Sequence, residues 1–445
     1  MRVRFWGTRG SIAKPGKTTL RYGGNTSCVE VQAADGTLVV LDCGTGAHEL
    51  GSHLVASGQV SQGHLLISHT HWDHIQGFPF FAPLFMPDNI WEIYAPGGRA
   101  RQIEASLAGQ MSYEYFPITL DAMHADVRLH DLTEGYFELG SIRITTHYLN
   151  HPALTLGYRL EADGVTLVYA SDYEPHSLYP LDASSTASPV HHEDRRHLRF
   201  IEGADLLIHD AQYTMNEFPD KSGWGHTPME RAVDYAMQTQ VQQLALFHHD
   251  PDRHDAAIDQ ICEQAKQRVA EADSSLQVCA AAEGQVIELS QTASRPPSRI
   301  ASGASALLAP RGTSTVLIVD DDPDMVTLLK ATLQAEEVRI LTAADGESVI
   351  PLLLQDPPNL ILLDMDLPGI DGLTVSRLIR EHADPRLRDI PILMLSGILL
   401  EEADLVDAFG AGATDYLSKP FKPTLLRSRV RAWLSRTSNQ RPERS

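Results

Sequence analysis

Apolar residues recur along this chain in short runs, each ending on a histidine, an aspartate or another reactive polar residue. In the first half the runs are "TLVVLDCGTG" (37–46), "GHLLISHTHWDH" (63–74), "VTLVYASDYEP" (165–175), "ADLLIHDAQY" (204–213) and "QLALFHHDP" (243–251). Continuous apolar stretches of this length, bounded by turn residues, predict buried strands. Polar residues at strand ends converge on one edge of a sheet, where open α/β architectures place their sites. In the second half the same pattern recurs in "STVLIVDDDPDM" (314–325), "NLILLDMDLPGIDG" (359–372), "IPILMLSG" (390–397) and "DYLSKPF" (415–421). Helical stretches such as "PDMVTLLKATLQ" separate these runs, which predicts a parallel sheet built from βαβ units.

The stretch 291–314, "QTASRPPSRIASGASALLAPRGTS", keeps neither a period of 2 nor one of 3.6, and reads as a flexible linker. The expected organisation is a domain at 1–290, the linker at 291–314, a second domain at 315–435 and a tail at 436–445. At 445 residues the chain is too long for one ordinary core. The halves differ in chemistry: of the 20 histidines only His382 follows the linker. The net charge of -22 argues against a long nucleic-acid partner, which would need a basic surface. No apolar run reaches the roughly 18–20 residues that cross a bilayer, and "MRVRFWGTRG" lacks the apolar core of a signal peptide. The four cysteines form no C-x-x-C pair, so a cytoplasmic location without membrane attachment is expected.

The six residues "HTHWDH" (69–74) hold three histidines and an aspartate directly after an apolar run. A packed core could not accept them without a polar partner for each. Imidazole nitrogens and carboxylate oxygens at this density suit a divalent metal: zinc, or manganese or iron. His151, Asp172 and His248 sit at further strand ends. HTHWDH matches the signature of the metallo-β-lactamase-fold hydrolases, and 1–290 most resembles their tRNase Z and cyclic-nucleotide phosphodiesterase branch. The resemblance implies an αββα sandwich. It also implies one metal held by His69, His71, His151 and Asp172, and a second held by Asp73, His74, Asp172 and His248. His248 is taken over its neighbour His249 from the family's frame alone. Asp42 in "LLDCGTG" would orient the ligands from behind. His226 in "GHT" would protonate the leaving group, and Asp210 in "LLIHDAQY" would hold it charged, with Asp73 also serving catalysis. Two such ions, about 3.5–4 Å apart, clamp both oxygens of an in-line displacement. The glycine-rich "FWGTRGS" and "RYGGNTSC" resemble loops near the site in this branch, which makes Arg9, Asn25 and Thr26 candidate substrate contacts.

The second half, over 315–435, resembles the receiver domain of bacterial response regulators, which implies a (βα)5 fold with a parallel sheet. By that resemblance Asp320 and Asp321, with Asp364, hold Mg²⁺, and Asp364 accepts the phosphoryl group. Ser396 and Tyr416 are the switch positions, and Lys419 contacts the phosphate. A sensor histidine kinase is the implied partner, and receiver pairing suggests a homodimer. The expected function is therefore a response regulator with a two-metal phosphodiesterase output, acting on a small, cyclic nucleotide. Only 20 residues separate His151 from Asp172, too few for the arm with which tRNA-processing relatives grip their substrate. Competing readings are a ribonuclease, lactonase or thioesterase of the same fold, or a non-catalytic metal-binding signalling protein.

Overall fold

The computed structural model describes the chain except for 59–61, 98–101, 177–191, 292–313, 337, 398–410, 422 and 439–445. All but the margins of the expected linker at 291–314 therefore lie outside the described residues. The chain divides into two compact units, Met1–Pro175 with His197–Leu308, and His176–Arg196 with Ala309–Ser445.

The first unit contains two seven-stranded sheets. One runs in the order Val286–Glu288, Arg2–Gly7, Cys28–Gln32, Leu38–Leu41, Gln62–Leu66, Ile90–Pro96 and Asp126–Leu132. The other runs Gln277–Ala280, Gln243–Phe247, Leu206–Asp210, Val165–Ala170, Thr155–Ala162, Ile142–Leu149 and Gly135–Leu139. The sheets face each other: Phe5 of the first meets Phe247 of the second at 6.1 Å between ring centres. Tyr158 of the second sheet donates its hydroxyl to the Ile67 carbonyl at 2.6 Å. On the outer face of the first sheet, Ala47, Leu50 and Leu54 of the helix Ala47–Ser57 pack with Val40, Leu65, Trp91 and Ile93. On the second sheet, Ile258 and Cys262 of the helix Asp255–Glu271 pack with Ala280. This is the αββα layering expected of a fully covered pair of sheets.

Within each sheet one block of strands is parallel. Leu38–Leu41, Gln62–Leu66 and Ile90–Pro96 pair in parallel, as do Val165–Ala170, Leu206–Asp210 and Gln243–Phe247. All of these except Ile90–Pro96 are strands the apolar runs predict, and their shared direction brings the residues past their C-terminal ends to one edge.

The second unit contains a five-stranded parallel sheet in the order Arg339–Ala343, Thr315–Val319, Leu360–Asp364, Ile392–Ser396 and Asp415–Ser418. Alternation divides each central strand between two cores. Val316, Ile318, Leu360 and Leu362 pack with Leu329, Leu333, Leu426 and Val430 on one face. Leu317, Val319, Ile361 and Leu363 pack with Val349, Leu353, Val375 and Ile379 on the other. The edge strand Arg339–Ala343 is the one the apolar pattern does not reveal. Only its last residue is buried, and it ends on no reactive side chain. The last helix, Pro423–Ser438, continues past the expected end at 435, since no Gly or Pro stops it there.

Candidate metal centre and phosphoacceptor pocket

The strand Gln62–Leu66 delivers Ser68 and His69, and a single helical turn, Trp72–Ile75, then carries Asp73 and His74. The turn sorts the motif: His69, Asp73 and His74 are buried while Trp72 is 70% exposed. His151 follows the strand Ile142–Leu149, Asp172 follows Val165–Ala170, Asp210 ends its own strand, and His248 follows Gln243–Phe247. These residues thus arrive at one edge.

Asp172 lies between two groups of histidines. Its Oδ2 is 3.8 Å from His69 Nε2 and 3.8 Å from His151 Nε2. Its Oδ1 is 3.2 Å from His74 Nε2 and 3.5 Å from His248 Nε2. His151 Nε2 also meets His71 Nδ1 at 3.0 Å. On the other side, Asp73 Oδ2 is 3.1 Å from His248 Nε2 and 3.3 Å from His74 Nε2. His69, His71 and His151 offer ligand atoms all within 4.8 Å of one another, and so do Asp73, His74 and His248.

The far ring nitrogens fix these orientations. His74 Nδ1 donates to Asp42 Oδ2 at 2.7 Å, and His151 Nδ1 donates to the Gly225 carbonyl at 2.9 Å. Such outer partners set tautomer and ring direction in metal sites. Asp42 is itself held by Ser68 N at 2.6 Å, Ser68 Oγ at 2.8 Å and Tyr169 Oη at 2.6 Å. His248 stands in the left-handed region at φ 60°, as does Asp42 at 59°. Strained non-glycine backbone at both ends of a cluster is characteristic of functional sites. His249 points elsewhere: its Nε2 donates to the Ala281 carbonyl at 2.9 Å, and burial pushes its pKa down to about 3.

Burial pushes His69 well down and His151 down to about 3, which favours the uncharged imidazole that a metal ligand needs. For His74, burial acts downward but the carboxylates of Asp73, Asp172 and Asp42 outweigh it and push it well up. For Asp172, burial acts upward, yet His248, His74 and His69 hold it well below the usual carboxylate range. His69 Nε2 is buried with no hydrogen-bond partner among the described residues. A buried polar atom without a partner is costly, and a cation held by these nitrogen and oxygen donors removes the cost. The donor set fits divalent metal ions.

Beside the cluster, His226 Nδ1 donates to Asp210 Oδ2 at 2.9 Å. Burial acts downward on His226, but Asp210, then Asp172 and Asp73, push its pKa up to about 9. Asp210 is fixed by the backbone N–H groups of Gln212 at 2.9 Å and Thr227 at 3.2 Å.

Arg9, Asn25 and Thr26 make hydrogen bonds within the protein. Arg9 is fully buried and donates to the carbonyls of Gly23, Asp250 and Arg253 at 2.9, 3.1 and 2.6 Å. Asn25 is tied to Glu283 at 3.1 Å, and Thr26 Oγ1 accepts from Thr45 N at 2.9 Å. A glycine loop bearing an arginine looks like an anion site in sequence, but here Nε and Nη1 of the guanidinium donate to backbone carbonyls, while Nη2 is buried with no hydrogen-bond partner among the described residues. Four contributors were missed: Ser68, Tyr169, Ser11, whose N–H donates to Asp73 Oδ2 at 2.7 Å, and Glu174. Ser68 is the residue before the first ligand and Tyr169 an inward position of a predicted strand, and these were their only sequence signals.

In the second unit, Asp320 directly follows the strand Thr315–Val319 and Asp364 ends the adjacent strand Leu360–Asp364. Lys419 Nζ lies 2.9 Å from Asp320 Oδ2 and 2.9 Å from Asp364 Oδ1. Burial pushes Asp364 up, against the downward pull of Lys419. Asp320 and Ser396 are buried, Tyr416 is half-buried, and Asp321 faces solvent. Clustered carboxylate oxygens fit a hard cation such as Mg²⁺.

Residues 37–249 match the family described as Beta-lactamase superfamily domain, and residues 316–431 match Response regulator receiver domain. The chain joins a beta-lactamase superfamily domain to a response regulator receiver domain. The receiver is 41% identical over 129 residues to the transcriptional regulatory protein BaeR of Escherichia coli, covering 29% of this chain and 51% of BaeR. It is 38% identical over 120 residues to the response regulator PleD of Caulobacter vibrioides, covering 27% of this chain and 26% of PleD. The chain thus spans about half of one relative and a quarter of the other. Among solved structures, the metallo-beta-lactamase fold protein YhfI of Bacillus subtilis aligns over 64% of this chain and 98% of its own, at 21% identity and TM-score 0.46. A diphosphatase of the PhnP family aligns over 65% of this chain and 97% of its own, at 16% identity and TM-score 0.45.

Proposed function

We propose that the beta-lactamase superfamily domain is a dinuclear-metal phosphodiesterase acting on a small, cyclic nucleotide, and that phosphorylation of Asp364 controls it. The observation that carries this reading is Asp172, whose two oxygens each face a separate group of histidines. One ion is assigned to His69, His71, His151 and Asp172, the other to Asp73, His74, Asp172 and His248. The imidazole-rich donor set favours zinc, with manganese or iron as alternatives. Divalent ions in such a site supply Lewis acidity toward phosphoryl oxygens and acidify water.

The chain's own residues do the rest. Asp42 and the Gly225 carbonyl hold His74 and His151 with their Nε2 atoms inward. His226 carries the proton destined for the leaving alkoxide, and Asp210 keeps it charged and aimed. A general acid of this kind contributes about 10²–10⁴ in rate. In the receiver, Asp364 takes a phosphoryl group from a sensor histidine kinase, with Mg²⁺ on Asp320, Asp321 and Asp364. Lys419 neutralises the product, and Ser396 and Tyr416 respond to it. A homodimer would give the receiver a surface through which to act.

The test is to assay the full chain on bis-p-nitrophenyl phosphate and a panel of cyclic nucleotides, with and without chelator and acetyl phosphate. Chelator-sensitive hydrolysis of a cyclic nucleotide, altered by acetyl phosphate, is expected. Turnover only of lactones or thioesters would overturn the reading.

A further inference from the structure

The stretch "KSGWGH" (221–226) carries more than His226. Glu174, two residues past Asp172, accepts from the backbone N–H of Gly223 at 2.7 Å and of Gly225 at 2.6 Å. Both glycines have positive φ, 81° and 93°. A Cβ on Gly225 would lie 2.1 Å from His151 Nδ1, so only glycine lets the backbone reach that ring. Trp224 stands between the two anchored glycines, held on both sides by one carboxylate.

That clamp leaves the Trp224 side chain 51% exposed. The Lys221 ammonium sits over its ring, 4.3 Å from the centroid, and 5.5 Å from the ring of Tyr213. Tyr213 in turn meets the His226 ring edge-on at 5.8 Å. An aromatic face, a cation and the proposed acid therefore form one contiguous patch. An exposed indole offers a π-face to any planar base, and such stacking tolerates every base. On a chain of net charge -22, Lys221 supplies a local positive charge of the kind an anionic ester seeks.

We propose that Trp224, with Lys221, is the subsite that binds the nucleoside part of the substrate, the indole stacking on the base and the ammonium meeting a negative charge. This rests on the phosphodiesterase reading above and names the residue that separates nucleoside esters from simple ones. Glu174 is the positioning residue that holds the subsite beside His226. Trp72 is the competing aromatic, 70% exposed, but among the described residues no cation lies over its ring.

The experiment uses the full chain and two probes, thymidine 5′-p-nitrophenyl phosphate and methyl p-nitrophenyl phosphate, which share a leaving group and differ in the nucleoside. In Trp224→Ala the ratio of the two KM values should shift against the thymidine ester by roughly 5- to 150-fold, the range one stacked base is worth. Trp224→Phe should keep most of the ratio, and Lys221→Ala and Glu174→Gln should shift it in the same direction by less. If Trp224→Ala loses its metal through misfolding, Trp224→Leu against Trp224→Phe decides: a larger shift in Leu supports the subsite, and equal ratios overturn it. A wild-type ratio in Trp224→Ala, or a shift seen only in Trp72→Ala, also overturns it. A wild-type chain with full metal content that cleaves neither ester overturns the phosphodiesterase reading itself.

Discussion

The two polar centres of this chain are built alike and charged differently. Both gather residues from the C-terminal ends of parallel strands, and both contain carboxylates too buried to stand alone. In the beta-lactamase superfamily domain the carboxylates of Asp73 and Asp172 are ringed by imidazoles, of which burial holds His69 and His151 down while the carboxylates push His74 up. In the receiver the carboxylates of Asp320 and Asp364 already share an internal cation, Lys419. The first arrangement leaves a buried nitrogen with no partner among the described residues and calls for cations from outside. The second is partly neutralised by its own lysine, and its remaining carboxylate charge suits an exchangeable cation that assists phosphoryl transfer. One centre is therefore expected to hold resident metal, the other to bind it in passing.

Removing a ligand breaks that contrast most severely. His248→Ala should lose nearly all phosphodiester hydrolysis and bound metal, measured by elemental analysis beside turnover. His249→Ala should keep both, and lose about 1–3 kcal/mol of stability in a denaturant titration, since it removes one buried hydrogen bond. Loss of metal in His249→Ala instead would reverse the assignment of the two neighbours.

The next effect in size concerns the acid. His226→Ala should lower turnover of alkoxide-leaving substrates by about 10²–10⁴, with metal content retained. The loss should shrink on nitrophenyl esters, whose leaving group needs no proton. Parallel loss of metal would make His226 a ligand.

Asp42→Asn should weaken metal affinity by about 10- to 100-fold, the usual effect of removing an outer partner. Competition with a calibrated chelator would measure it, and an unchanged affinity would limit Asp42 to a scaffold role.

The smallest effect belongs to the receiver. Asp364→Asn should block labelling by acetyl phosphate with Mg²⁺ while leaving the resident metal of the other domain in place. In the wild type, labelling should change hydrolysis by about 5- to 150-fold, the range of a typical coupling energy. Equal rates with and without acetyl phosphate would separate the two centres functionally.

How much of this could be read beforehand follows from where information sits in a chain. Asp42, His69, Asp172, Asp210, His248 and Asp364 lie at or just past the end of an apolar run, and so each is visible from its neighbours. The adjacency of His248 and His249 is not resolved by pattern, because a left-handed residue at 248 decides which ring turns inward. Tyr169 acts on Asp42 from 127 positions away, and Glu174 acts on Gly223 and Gly225 from 49 and 51 positions away. No local pattern encodes such pairs. Arg9 differs from its sequence expectation: its Nε and Nη1 donate to backbone carbonyls, a pairing that no local pattern encodes.

The central claim is that Asp172 is shared by two resident ions, and counting metal tests it most directly. Elemental analysis of the full chain beside Asp172→Ala, with phosphodiester turnover read on the same samples, gives the answer. The account predicts two transition-metal ions per wild-type chain, and at most one, with hydrolysis abolished, in the variant. Wild-type metal content and turnover in Asp172→Ala would contradict it.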